Sequence, residues 1–157
     1  MADDIPEIKF PLSKGLIKAA AFCAYQERTQ REVRQRLREW GYDGDMAEEI
    51  IAELIVQNYL NEERFAKAFA GGKFRVKNWG RRKIETELKQ RGLSNYNIQQ
   101  AMKEIQDDPY HQTLRELLEK KRKQILDSNP LIIKQKLLRY ALSKGYESEL
   151  VWQFLDV

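Results

Sequence analysis

Apolar residues in this chain recur three and four positions apart rather than alternating, and they do so in three matching blocks. In the middle block Ile84 and Leu88 share one helical face, and Gly92 followed by Leu93 closes it, because glycine past the last turn supplies a left-handed stop. Val33, Leu37, Gly41 and Tyr42 stand in the same relation 51 positions earlier. The match continues past the glycine, where Ala47, Ile50, Ile51 and Leu54 fall on Ile98, Ala101, Met102 and Ile105. At an offset of 53 on the other side, Leu137, Ala141, Gly145, Tyr146, Val151, Phe154 and Leu155 repeat the block again. A period near 50 with helical hydrophobicity predicts an all-α chain of three repeated units stacked on their neighbours.

Local signals place the elements. Leu16, Ala19, Ala20, Cys23 and Ala24 form a small-residue face on a helix over residues 14–26. Thr29 opens Thr-Gln-Arg-Glu, a capping box for a second helix that buries Val33, Leu37 and Trp40. Asp43, Gly44 and Asp45 carry turn and cap chemistry for a third. Asn61 caps the next, with Phe65, Ala66 and Phe69 on its face, and Gly71-Gly72 is expected to kink or weaken it. Ser94 caps a helix through Ile98, Met102 and Ile105, and Pro109 falls in the first turn of a longer one reaching Ile125. The stretch 127–130 is a break, followed by helices around 133–144 and 147–155. The expected organisation is a lead-in over 1–13 that contains Pro6 and Pro11, then repeats at 14–58, 59–106 and 107–157.

Charge is unevenly spread along this frame. Between Lys73 and Arg91 eight basic residues face only Glu85 and Glu87, a balance of +6 in a chain whose net charge is +4. The block from Asp43 to Glu63 holds seven acids and no base, and 115–139 holds eight bases against three acids. A molecule with faces of opposite sign is expected. Candidate contacts to an acidic partner, phosphate or carboxylate, are Arg75, Lys77, Arg81, Arg82, Lys89 and Arg91, with Arg31, Arg34 and Arg38 as a second set. Lys120 to Lys123 winds around its helix and reads as a solvated run. Trp79, among these cations, reads as packing before a helix start more readily than as a platform for an exposed base.

Other chemistry is thinly represented. His111 is the single histidine and Cys23 the single cysteine, which leaves no metal ligand set and no nucleophile and base pair. Gly71-Gly72 lacks the Gly-Lys-Ser/Thr ending of a phosphate loop. No cofactor and no enzymatic activity are expected. The amino terminus is acidic without an apolar run, and no stretch approaches the ~20 apolar residues of a membrane span. Cys23 among alanines reads as a buried core residue, and a reducing cytoplasm and a monomer are expected, with no membrane partner.

The segment Asn58-Tyr59-Leu60-Asn61-Glu62-Glu63-Arg64-Phe65-Ala66, then Trp79-Gly80-Arg81-Arg82-Lys83-Ile84, Glu87-Leu88 and Arg91-Gly92-Leu93, resembles the bacterial RecX family. Lys136-Leu137-Leu138-Arg139-Tyr140 leading into Lys144-Gly145-Tyr146 extends the likeness, which runs from about Lys14 to Leu155. Asn58 stands where that family commonly has glycine, Asn61-Glu62 replaces a pair of aspartates, and Trp79 takes the place of another aromatic. The resemblance implies three tandem three-helix repeats in an elongated, curved array. It also implies binding to the RecA recombinase filament on single-stranded DNA, with suppression of filament growth, ATP hydrolysis and strand exchange, and so a part in DNA repair, recombination and the SOS response. The alternative is a general nucleic-acid-binding helical array acting without RecA. Reversal of Arg81 and Arg82 to Glu is expected to weaken inhibition without unfolding the chain.

Overall fold

The computed structural model describes residues 12–156, and among them every regular element is an α-helix. In order these are α1 (Leu12–Tyr25), α2 (Gln30–Glu39), α3 (Gly44–Val56), α4 (Glu62–Lys77), α5 (Arg81–Gln90), α6 (Asn95–Met102), α7 (Asp107–Gln124), α8 (Pro130–Ser143) and α9 (Ser148–Leu155). The expected lead-in lies outside the described residues up to position 11, and Leu12 and Ser13 already belong to α1.

The repeat is visible in hydrogen bonding. At the end of α2, Gly41 adopts φ +95°, its amide donates to Arg38, and the Tyr42 amide donates to the Leu37 carbonyl at 2.8 Å. After α5, Gly92 at φ +85° repeats this with Leu93 donating to Leu88, and after α8, Gly145 at φ +100° does so with Tyr146 donating to Ala141. Each is the left-handed glycine stop that satisfies the last carbonyls of a helix. The residue after each glycine is buried, and so are the matched triads Val33, Ile84, Leu137 and Ala47, Ile98, Val151. Asn58, at φ +64°, ends α3 in the same left-handed region, which asparagine tolerates.

The chain divides into two compact units, Met1–Phe65 and Ala66–Val157. In the first, α1, α2 and α3 pack on one another around Val33, Leu37, Tyr42, Ile50 and Leu54. The small face of α1 permits this: a Cβ on Gly15 would lie 2.7 Å from the Tyr42 ring and 2.9 Å from Ile50. Cys23 is buried there, and burial pushes its thiol up from the ordinary range. Thr29 caps α2 by accepting from the Glu32 amide at 3.1 Å.

In the second unit α4 runs through Gly71-Gly72 as one continuous helix. Roughly 1 kcal/mol per glycine is the ordinary cost of such a position, and the buried stripe Ala66, Ala70 and Phe74 offsets it. Gly71 is itself buried, with the Arg75 guanidinium folded to within 2.7 Å of where a Cβ would stand. Ser94 caps α6, and Asn129 caps α8 with Pro130 in its first turn.

Candidate functional site

The loop before α5 meets the loop before α9 backbone to backbone. Gly80 donates to the Lys144 carbonyl at 2.7 Å and Arg82 donates to the Gly145 carbonyl at 2.9 Å. Such an approach excludes side chains, since a Cβ on Gly80 would sit 2.2 Å from the Gly145 carbonyl carbon. Tyr110 and Tyr146 are fully buried beside this contact and stack with centroids 4.9 Å apart. The Tyr110 hydroxyl accepts from the Arg81 amide at 2.9 Å and donates to Glu147, while the Tyr146 hydroxyl donates to the Asn78 carbonyl at 3.0 Å. Burial first, then the Glu147 carboxylate, holds the Tyr110 phenol far above its ordinary range, and burial does the same for Tyr146.

Arg81 completes this joint. Its guanidinium lies 4.0 Å over the Tyr110 ring, donates to the Ile105 carbonyl at 3.1 Å and to Asp107 at 2.7 Å, and stands 3.6 Å from Glu147. The side chain is only 21% exposed. Hydrogen bonding from Arg81 holds the Asp107 carboxyl below its ordinary range. A glutamate at position 81 would face Asp107 and Glu147 across a few ångströms, so the Arg81/Arg82 double reversal would perturb the joint itself.

The remaining cations fall into two groups. Arg34 is held by Glu48 through two hydrogen bonds of 2.6 and 3.2 Å, which raise the guanidinium and lower the carboxyl relative to their ordinary ranges. Arg91 pairs with Glu87 at 2.7 Å and lies 4.7 Å over Phe69. Trp79 rests edge-on against Phe69, with the Lys73 and Lys83 ammonium groups over its ring at 5.0 and 4.5 Å. Arg75 and Lys77 are exposed at the end of α4.

On α5, by contrast, Arg82 and Lys89 are exposed and make no ion pair with any described residue. Seven residues are close to two helical turns, so both leave the same outer face about 10 Å apart, with Thr86 between them. Shifted by the repeat offset of 51, these positions become Arg31, Gln35 and Arg38 on α2, again exposed. Among the described residues Arg38 donates only to Gln35, at 3.5 Å. A pair of cations thus occupies the same register on the middle helix of two copies, although Arg31 has an interaction of its own within the chain. That register was overlooked in the sequence, although the offset and the residues were both in view there.

Fold and surface define a protein of tandem three-helix units that presents outward charge on its middle helices. Family models described as the first, second and third three-helix domains of RecX match residues 17–54, 61–102 and 108–155. The chain belongs to the RecX family. It is similar to the Regulatory protein RecX of Listeria innocua serovar 6a, 31% identical over 148 residues, covering 93% of this chain and 55% of that protein. The Regulatory protein RecX of Lactobacillus johnsonii is 31% identical over 150 residues, covering 94% of this chain and 55% of its own length. The chain therefore spans about half the length of these curated relatives. The crystal structure of RecX from Lactobacillus salivarius has the same fold, with TM-score 0.85 at 23% identity over 92% of this chain and 94% of that one. No helix among the described residues is long and apolar enough to cross a membrane.

Proposed function

We propose that this chain is a non-catalytic regulator that binds RecA filaments on single-stranded DNA and restrains the recombinase. The observation that carries the reading is the repeated outward pair, Arg31 with Arg38 and Arg82 with Lys89, in matching register on two copies of the unit. Two such pairs on tandem units suit a partner that itself repeats, as a filament and its phosphates do. The relatives' name, Regulatory protein RecX, supports a regulatory role. Bound along the filament, the units would bridge neighbouring RecA protomers and hold them in a state poor at ATP hydrolysis, or obstruct addition of the next one.

The test is RecA ATPase activity on single-stranded DNA titrated with the folded chain. Turnover is expected to fall before equimolar ratio; unchanged turnover there sinks the proposal. A gel shift without RecA at several salt concentrations separates the other reading, because tight, steeply salt-dependent binding to DNA alone identifies a general nucleic-acid-binding array.

A further inference from the structure

The third copy of the unit departs from the other two at its outer face. The α8 residues that correspond to Arg82, Thr86 and Lys89 at the offset of 53 are Gln135, Arg139 and Leu142, so a cation pair has become one arginine between an amide and a leucine that is 43% exposed. Beside it, between α8 and the end of α7, lies an open groove of about 630 Å³. Lys121, Lys136 and Arg139 line it, no acidic residue does, and none of the three makes an ion pair with a described residue. Other cations of the compact unit 66–157 do find acids: Arg81 has Asp107, Arg91 has Glu87 and, in the third copy itself, Lys134 has Asp156.

The rim of the groove is apolar in an unusual way. Leu126 is 99% exposed, although the connection that carries it is tied down. The Ile125 amide donates to Arg122, the Asn129 amide donates to Asp127 at 2.9 Å, and Asn129 in turn caps Leu131. Asp127 accepts that bond through one carboxylate oxygen and makes no ion pair with a described residue. Ile125 and Tyr140 continue the apolar surface inward, and Lys121 lies over the Tyr140 ring at 4.9 Å.

We propose that this groove is a docking site for a partner protein segment that carries acidic side chains flanking an apolar one. Three cations without acids supply the charge complement, and the held-out leucine with the floor of Ile125 and Tyr140 supplies the contact for the apolar side chain. Nucleic acid fits less well. Its backbone has no use for an exposed leucine, and base stacking on Tyr140 requires Lys121 to leave the ring. Occupancy of the groove is independent of whether the chain restrains a recombinase, because a chain that binds no filament would still bind the segment.

The experiment measures fluorescence anisotropy of a labelled peptide of repeated Glu-Leu-Glu with the full chain at physiological salt, against an all-Glu peptide of equal length and labelled oligothymidylate. The Glu-Leu-Glu peptide is expected to bind about tenfold more tightly than the all-Glu peptide. Leu126→Ser and the pair Lys136→Glu/Arg139→Glu are each expected to weaken it by about tenfold, a loss of ~1.4 kcal/mol, with helical circular dichroism unchanged. Equal binding of the two peptides, or binding indifferent to both variants, overturns the proposal. Oligothymidylate that displaces the peptide and is weakened by the same variants overturns it in favour of nucleic acid.

Discussion

Arg81 and Arg82 are adjacent, identical and both in the first turn of α5, yet truncating them is expected to have very different consequences. Arg82→Ala removes an exposed guanidinium and should change stability by less than about 0.5 kcal/mol. Arg81→Ala removes a cation lying over Tyr110, worth ~0.5–1 kcal/mol. It also removes a partner of the half-buried Ile105 carbonyl and the near charge of Glu147, together worth about 1–2 kcal/mol. The pair with Asp107 adds little, because that carboxylate is 77% exposed and screened. The total is about 1.5–3 kcal/mol, which at ~2–4 °C per kcal/mol lowers Tm by roughly 3–12 °C. Thermal unfolding followed by circular dichroism at neutral pH decides the matter. A Tm shift for Arg81→Ala no larger than that for Arg82→Ala would refute the assignment of Arg81 to the joint.

Four further outcomes follow from the same geometry. Gly80→Ala forces a Cβ onto the Gly145 carbonyl carbon and is expected to cost about 3 kcal/mol, read as a lower urea midpoint; an unchanged midpoint contradicts the close approach. Tyr110 is favoured neutral in the fold, so its contribution is complete below its unfolded value near pH 10 and is lost as pH rises further. Tyr110→Phe should therefore flatten the alkaline decline of stability while leaving the Arg81 amide and Glu147 short of a partner, at about 1–3 kcal/mol near neutrality. Asp107 has the opposite sign: its carboxyl is lowered by Arg81, so its contribution holds above the ordinary aspartate range and fades as pH falls through the folded value. Asp107→Asn is expected to lessen the acid dependence of Tm only slightly, because the carboxylate is exposed, and a steeper acid limb would speak against the pairing. Cys23 should react with a thiol reagent only slowly in the native chain and rapidly in denaturant, since it is buried and its thiolate is disfavoured.

Which parts were legible in the sequence follows from the distance over which each is decided. The glycine stops at Gly41, Gly92 and Gly145 and the buried positions around them are local, and three copies at matching offsets make them readable together. The capping by Thr29, Ser94 and Asn61 was legible for the same reason. That the helix continues through Gly71-Gly72 was not legible, because propensity is local while the Ala66, Ala70 and Phe74 stripe is buried by other parts of the chain, Phe74 against Tyr110. Counting charge placed Arg81, Arg82, Lys89 and Arg91 in one basic run. What separates them is a carboxylate 26 residues away for Arg81, another four residues away for Arg91, and none among the described residues for the other two. Net charge of a segment cannot distinguish a cation held by its own fold from one available to a partner. The groove beside Leu126 was missed outright, because the run Lys120 to Lys123 read as solvated and the exposure of Leu126 depends on how the connection after α7 is tied.

The central claim is that outward cations on the middle helices, rather than the cation in the joint, engage the acidic assembly. The measurement that tests it most directly is RecA ATPase inhibition by the variant Arg82→Glu/Lys89→Glu beside the unaltered chain, with both shown to melt at the same temperature. The unaltered chain is expected to inhibit, and the variant to need about tenfold more protein for the same effect, ~1.4 kcal/mol of lost binding. Equal inhibition by the two folded proteins would contradict the claim.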